Sequence, residues 1–461
     1  MRRCFTEPLR FRWRLQLHWR SPFASVGLCL EKKEVEPLFA RFLLGSRPLI
    51  FPWWTAVIVP SSFDLLRFAL LFSTLYAAFG VASPFLPEFL SLHGLSPERL
   101  ALVLSVATTI RLLSAPLAGR IADRLRTLRI VLAICAATGG AIVLAFLPAF
   151  GFLVLLSISA LHAAMLAPTT VLADALALGA ANPRGNPGSG FEYGWVRGLG
   201  SLAFIVGSLA AGQAIHALGL NSIVVGQGIL LLMSAAAALL VPEITLSRGV
   251  DRPAVRAIQA SVLDLLRSPS FRWLVVVAAL ILGSHAMHDS FAMIAWNATG
   301  ISAAAGSVLW SESVAAEVVV FVAIGPFLLR RLSPETAMVV SAIASMVRWG
   351  LLAQSSNIVA LALAEPLHGL TFAFLHLSCM RVLVAIVPRE LAGIAQAIYA
   401  TLGVGLTSAM LTLVSGSLYA EFGTGGFWGM SAMAFAALPA IWRLRRARNN
   451  PPSADLHRQI G

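Results

Sequence analysis

Residues able to move protons are spaced at helical intervals within apolar surroundings. His285 and Asp289 are four apart, and Glu365 and His368 are three apart, so each pair shares one helix face. Glu365 and His376 are eleven residues apart, about three turns, and share a face as well. His288 adjoins Asp289, while Glu312, Glu317 and Arg348 stand in neighbouring apolar runs. A carboxyl in a low-dielectric cavity can hold a proton near neutral pH, and an approaching arginine releases it. Histidine titrates near working pH and can relay the proton.

The N-terminal half is sparser. Arg111 is its mid-run cation and Asp174 lies near the end of another apolar run; His162 and His216 read as core or rim residues. A guanidinium fork suits a carboxylate, so Arg111 is either the anchor for an anionic solute or paired with backbone carbonyls. Glu312 and Glu317 are five apart and point in different directions, and Glu317 is nearer mid-run. Other readings stay open. Glu317 and Arg348 also suit a static ion pair, His285 a hydrogen bond between helices, and His288 with Asp289 a solvated vestibule.

The elements that hold these groups follow from composition. The chain of 461 residues is 58% hydrophobic and 12% charged, with mean hydropathy +0.82. Soluble domains carry about 25% charged residues. This excludes a secreted domain, a cytosolic enzyme and a filament, and requires many membrane-spanning helices. Twelve apolar runs fall near 64–90, 97–119, 127–148, 151–178, 195–218, 221–241, 271–297, 302–328, 333–353, 356–384, 390–420 and 424–442.

The net charge of +13 comes with arginines distributed between runs rather than gathered in a patch, which argues topology and not nucleic acid. Alternate breaks carry Arg120, Arg124, Arg126 and Arg129; Arg184 and Arg197; Arg248 to Arg272; Arg330 and Arg331; Arg381 and Arg389. The intervening breaks carry Arg99 alone. Both termini are therefore expected on the cytoplasmic side. The long break at 242–270 reads as a linker dividing the helices into bundles at 61–241 and 271–442, followed by a tail at 443–461. Residues 1–60 hold ten of the 34 Lys+Arg, including both lysines, and their apolar run Pro48–Pro60 is too short to cross a bilayer. They read as a disordered arm, or as the product of a misassigned start with the protein beginning near Val57–Ser61.

Run two ends in Gly119-Arg120-Ile121-Ala122-Asp123-Arg124-Leu125-Arg126. This resembles the Gly-x-x-x-Asp-Arg motif of the major facilitator superfamily. The resemblance implies an all-α polytopic membrane protein of two pseudo-symmetric six-helix bundles. It also implies a conformational latch, with Gly119 permitting close helix approach, Asp123 and Arg124 in the motif, and Asp174 pairing with Arg124 or Arg197.

A nearer resemblance is to the 3-phenylpropionate permease branch, related to the lactose permease group, over roughly residues 64–442. It rests on Glu192-Tyr193-Gly194-Trp195-Val196-Arg197, Gly283-Ser284-His285-Ala286, Leu309-Trp310-Ser311 with Ala316-Glu317, and Val347-Arg348-Trp349-Gly350. Leu367-His368-Gly369-Leu370-Thr371-Phe372, His376-Leu377, Met380-Arg381, Gln396 and Tyr399 complete it. Asp289 and Glu312 depart from it, being acids where neutral residues are expected. The resemblance implies proton coupling through Glu317, Arg348, His368 and Glu365, with the His–acid order of run ten reversed. The candidate substrate cavity draws on the intramembrane charges and on the residues that carry the resemblance: Arg111, His285, His376, Gln396, Tyr399, Asp289 and Glu312, with Trp310, Trp349, Phe372 and Tyr399 able to stack on an aryl group.

The expected activity is proton-coupled symport of a small organic solute such as an aromatic carboxylate, in a bacterial inner membrane. An exporter of drugs or sugars, or a non-transporting sensor on the same fold, are the alternatives. No metal-ligand spacing, P-loop or nucleophile motif appears, so neither cofactor nor enzymatic chemistry is expected. The partners are a small molecule, protons and lipid, with no nucleic acid and no requirement for an oligomer.

Overall fold

The computed structural model describes residues 62–181, 191–243 and 262–449. The N-terminal arm, most of the linker and the end of the tail lie outside the described residues. Ten helices are long and apolar enough to cross a membrane, and Leu128–Leu144 is a shorter apolar one. The last of the ten, Arg389–Asn449, is a 61-residue run. At 1.5 Å per residue it would extend about three times the ~30 Å hydrocarbon core. It is folded back at Gly423–Gly426, where Gly423 takes φ +56°, a left-handed value that favours glycine. Twelve spans result.

They are α1 (Ser62–Ala82), α2 (Pro97–Leu125), α3 (Leu128–Leu144), α4 (Phe152–Ala181), α5 (Tyr193–Leu218) and α6 (Asn221–Leu240). The second half has α7 (Pro269–Ala298), α8 (Ala303–Leu329), α9 (Pro334–Gln354), α10 (Ile358–Ile386), α11 (392–422) and α12 (Phe427–Asn449). A short helix, Leu86–Leu92, follows α1. Local sequence sets the starts. Ser96, Ser268 and Ser333 each precede a proline and accept the backbone N–H three residues on, and Ser302 caps α8 in the same way.

The helices pack as two copies of one pattern. In the first half α1 lies on α5 and α6, α2 on α4, and α3 on α4 and α6. In the second half α7 lies on α11 and α12, α8 on α10, and α9 on α10 and α12. The halves meet where α2 packs on α11 and α5 on α8. Even the end ties correspond. Glu243, after α6, accepts from Thr127 Oγ1 at 2.7 Å and from Leu128 N at 2.9 Å at the start of α3. In the second half Arg448 of α12 pairs with Glu335 at the start of α9.

Contact between the halves is concentrated at the arginine-poor end. A Cβ at Gly212 of α5 would collide with Ser307 and the Ala303 carbonyl of α8, and one at Gly416 of α11 with Ala101 and Pro97 of α2. Asn297, near the end of α7, donates to Glu88 at 2.7 Å across the same seam. One buried cluster unites both halves there, with Phe85, Phe89 and Leu100 against Met287, Phe291 and Trp349. Toward the arginine-rich end the buried clusters each belong to a single half.

Candidate functional site

A cavity of about 480 Å³ lies between the halves. This is within the range of small-molecule sites. Arg111 of α2, His162 of α4 and Gln227 of α6 line it from the first half; His285, His288 and Asp289 of α7, Trp310 of α8, and His368 and Phe372 of α10 line it from the second.

The second-half wall is a connected network. α7 is interrupted between Gly283 and Ala286, which places His285 and His288 at mid-span. Trp349 Nε1 donates to Ser284 Oγ at 2.8 Å and fixes that break to α9. Arg348 and Glu365 are both fully buried, and Arg348 Nη2 donates to Glu365 Oε2 at 2.6 Å. A charge at this depth needs such a partner. His288 Nε2 lies 3.1 Å from Glu365 Oε1, and His288 Nδ1 lies 3.4 Å from Asp289 Oδ1. The His288 ring stacks on Trp310 with centroids 5.0 Å apart.

His368 connects the buried pair to Glu317. Arg348 Nη1 is 3.0 Å from His368 Nδ1, and His368 Nε2 is 3.3 Å from Glu317 Oε2. Guanidinium only donates, so Nδ1 is the acceptor and the hydrogen of the neutral ring is on Nε2, facing the Glu317 carboxylate. His285 is held by its own helix. Its Nδ1 lies 3.1 Å from the Ile281 carbonyl, and its Nε2 lies 2.9 Å from Thr371 Oγ1 of α10.

The pairing differs from the suggested Glu317–Arg348 contact. Arg348 takes Glu365, and Glu317 takes His368. The reason is geometric. Glu365 and His368 share a face of α10, so both reach Arg348, and Glu317 approaches from α8 on the far side of the imidazole.

Of the other residues considered for the cavity, Arg111, His285 and Asp289 line it, and His376, Gln396, Tyr399 and Glu312 do not. Tyr399 is buried in the second-half core at 1% exposure, and Gln396 is exposed. His376 packs between Phe321 and Tyr399 rather than on the Glu365 face. A π-helical turn at Gly369–Phe374 lies between Glu365 and His376, and it winds fewer degrees per residue than the α-helix assumed in the eleven-residue spacing. A second π-helical run, Tyr399–Leu406, begins three residues after Gln396. Glu312 is half-buried and makes no ion pair among the described residues.

The motif at the end of α2 is also arranged differently. A Cβ at Gly119 would meet nothing within 4 Å, so close helix approach does not require glycine there in this conformation. Asp174 accepts from Tyr193 Oη at 2.8 Å, and Arg197 lies over the Tyr76 ring at 4.6 Å. Neither Arg124 nor Arg197 forms an ion pair with Asp174 among the described residues. Asp123 and Arg124 are both exposed. The start of α3 is fastened within its own half by Glu243, which also lies 3.4 Å from Arg129 Nε.

Three features of the site are not placed there by the sequence. His162 reads from the sequence as a core or rim residue, yet it lines the cavity. A titratable residue within an apolar run is the signal that could have placed it there. Gln227 carries no charge, so a search for intramembrane charges passes over it. Glu88 and Asn297 stand at the edges of runs, where polar residues are ordinary. Among the described residues no group of three or more His, Cys, Asp or Glu could hold a metal ion.

Comparison with known proteins gives the family. The family model described as "MFS_1 like family" matches residues 65–430. The chain belongs to this major facilitator family. A relative, the "Probable 3-phenylpropionic acid transporter" of Escherichia coli (strain K12), is 31% identical over 81% of this chain and 95% of its own length. The "Maltose permease" of Geobacillus stearothermophilus is 24% identical over 78% of this chain and 89% of its own. Among solved structures, the nucleoside transporter NupG (D323A mutant) superposes with TM-score 0.75 at 16% identity, covering 82% of this chain and 99% of that one. A bacterial homologue of the lysosomal transporter Spinster, in an inward-facing and occupied conformation, gives TM-score 0.64 at 14% identity, covering 86% and 99%. The structural likenesses establish the MFS fold, and the family makes this chain a transporter with twelve spans in two halves.

Proposed function

We propose that this MFS transporter carries a small organic anion, an aryl carboxylate, together with protons by alternating access. The observation that carries the proposal is one cavity with two complementary walls. One holds Arg111, whose side chain has no hydrogen-bond or ion-pair partner among the described residues; the other holds His288 and His368, which are backed by the buried Arg348–Glu365 pair and by Glu317. The guanidinium supplies a fork for a carboxylate. Trp310 and Phe372 supply aromatic faces for a ring. The name of the Escherichia coli relative agrees with this substrate class.

The coupling step follows from donor and acceptor chemistry. A proton placed on His368 Nδ1 removes the lone pair that faces Arg348, so that proton and the Arg348 contact exclude one another. Arg348 is then left with Glu365, with His288 Nε2 3.3 Å from its Nη2, and with the Trp349 ring beneath its guanidinium. A proton on Glu317 removes the charge facing the His368 N–H. Either event changes the contacts at the cavity wall, and a change that favours one conformation over the other drives alternation.

Arginine-rich loops face the cytoplasm in most polytopic proteins. On that rule both termini are cytoplasmic in a bacterial inner membrane, the sealed end is outside, and this conformation faces inward. The test is uptake of radiolabelled 3-phenylpropionate into proteoliposomes. Accumulation above equilibrium under an inwardly acidifying pH gradient (acid outside) is expected. Equilibration that never exceeds the external concentration at any gradient would refute coupling.

A further inference from the structure

Two buried polar atoms on the first-half wall have no hydrogen-bond partner among the described residues: Nε2 of His162 and Oε1 of Gln227. Both residues are 2% exposed, and both line the cavity along with Arg111. Buried polar atoms are nearly always paired, and an unpaired one calls for an explanation. Here α4 and α6 each hold one just behind the wall that α2 furnishes with a guanidinium, covered in this conformation and reached by a solute when the side chain turns.

The chemistry each atom requires can be read from its surroundings. His162 Nδ1 lies 3.2 Å from the Gly139 carbonyl oxygen. A carbonyl oxygen only accepts, so Nδ1 carries the hydrogen and donates. In the neutral ring Nε2 is then a lone pair in need of a donor. The Gln227 amide can present oxygen or nitrogen, so it can serve a hydroxyl in either role. Arg111 offers donors only.

A plain carboxylate answers Arg111 and leaves His162 unanswered. The solute must also bring an O–H or N–H close to its carboxylate. An ammonium would place a second cation beside Arg111, and a hydroxyl would not. We infer that the transported acid carries a hydroxyl next to its carboxylate, as in a 2-hydroxy-3-arylpropanoate, and that His162 and Gln227 select it. This rests on the carboxylate reading above and narrows it.

The test compares 3-phenylpropanoate with each enantiomer of 2-hydroxy-3-phenylpropanoate by calorimetric titration of the purified full-length protein. One enantiomer of the hydroxy acid is expected to bind at least about tenfold tighter than the plain acid, because the plain acid leaves buried polar atoms unpaired. That ratio should collapse toward one in His162→Leu and in Gln227→Leu. It should persist in the control His216→Leu, an exposed residue outside the cavity. A ratio of dissociation constants does not depend on the fraction of folded protein, so partial misfolding of a variant cannot mimic the result. Equal affinity of the two acids in the unaltered protein, or a preference that survives both substitutions, would overturn the inference while leaving the carboxylate reading intact. Binding of neither acid would overturn both.

Discussion

Arg348 and His368 meet through a guanidinium nitrogen and an imidazole nitrogen 3.0 Å apart, an arrangement that fixes which ring nitrogen is free of hydrogen. The arginine is fully buried and paired with Glu365, whereas Glu317, at the other edge of the imidazole, is 26% exposed. One histidine thus links an ion pair sealed from solvent to a carboxylate that solvent reaches.

Arg348 is expected to be structural as well as functional. Arg348→Gln leaves the Glu365 carboxylate buried beside His288 alone, and should lower stability by about 3–5 kcal/mol. Arg348→Gln combined with Glu365→Gln should recover much of that loss. Thermal unfolding of the two variants in detergent checks this, and a double variant no more stable than the single one would count against the pairing.

Glu317 is expected to carry coupling without carrying the fold, since it is half-buried and bound through one contact. Glu317→Gln should abolish accumulation driven by a pH gradient while retaining exchange of internal for external solute. Concentrative uptake by the variant at the unaltered level would remove Glu317 from the proton path.

Arg111 should discriminate charge. Charge-assisted hydrogen bonds contribute about 1.5–3 kcal/mol. Arg111→Gln should therefore weaken an aryl carboxylate roughly tenfold to a hundredfold, and the corresponding neutral amide much less. Equal weakening of acid and amide in binding assays would make Arg111 a structural residue.

The Asn297–Glu88 bond and the glycine contacts should hold the arginine-poor end shut. Ser83 lines the cavity behind that seal. A cysteine introduced at Ser83 should react slowly with an impermeant maleimide added from the arginine-poor side. Asn297→Ala, or Gly416→Leu as a wedge between α11 and α2, should accelerate labelling several-fold. Unchanged labelling in both would show that the seam does not depend on these contacts.

The number of spans, the six-plus-six division and the arginine alternation were legible in the sequence because each depends on runs of twenty residues or more, where single errors average out. The Glu365–His368 face was legible because three residues separate the two. The partners across helices were not. The sequence leaves a Glu317–Arg348 pair open because helical phase alone does not decide which neighbour α9 faces. The eleven-residue spacing puts His376 on the Glu365 face because the π-helical turn at Gly369–Phe374 leaves no mark in hydropathy. His162 and Gln227 were missed for another reason. Their importance rests on atoms left without partners, which emerges only when α2, α4 and α6 converge on one wall.

The most direct test of the coupling account uses proteoliposomes enclosing a pH-sensitive dye, with the carboxylate added outside and no imposed gradient. Inward movement of protons that begins with the solute and is absent in Glu317→Gln is the predicted result. Solute entry measured in parallel with no change of internal pH, in the unaltered protein, would contradict it.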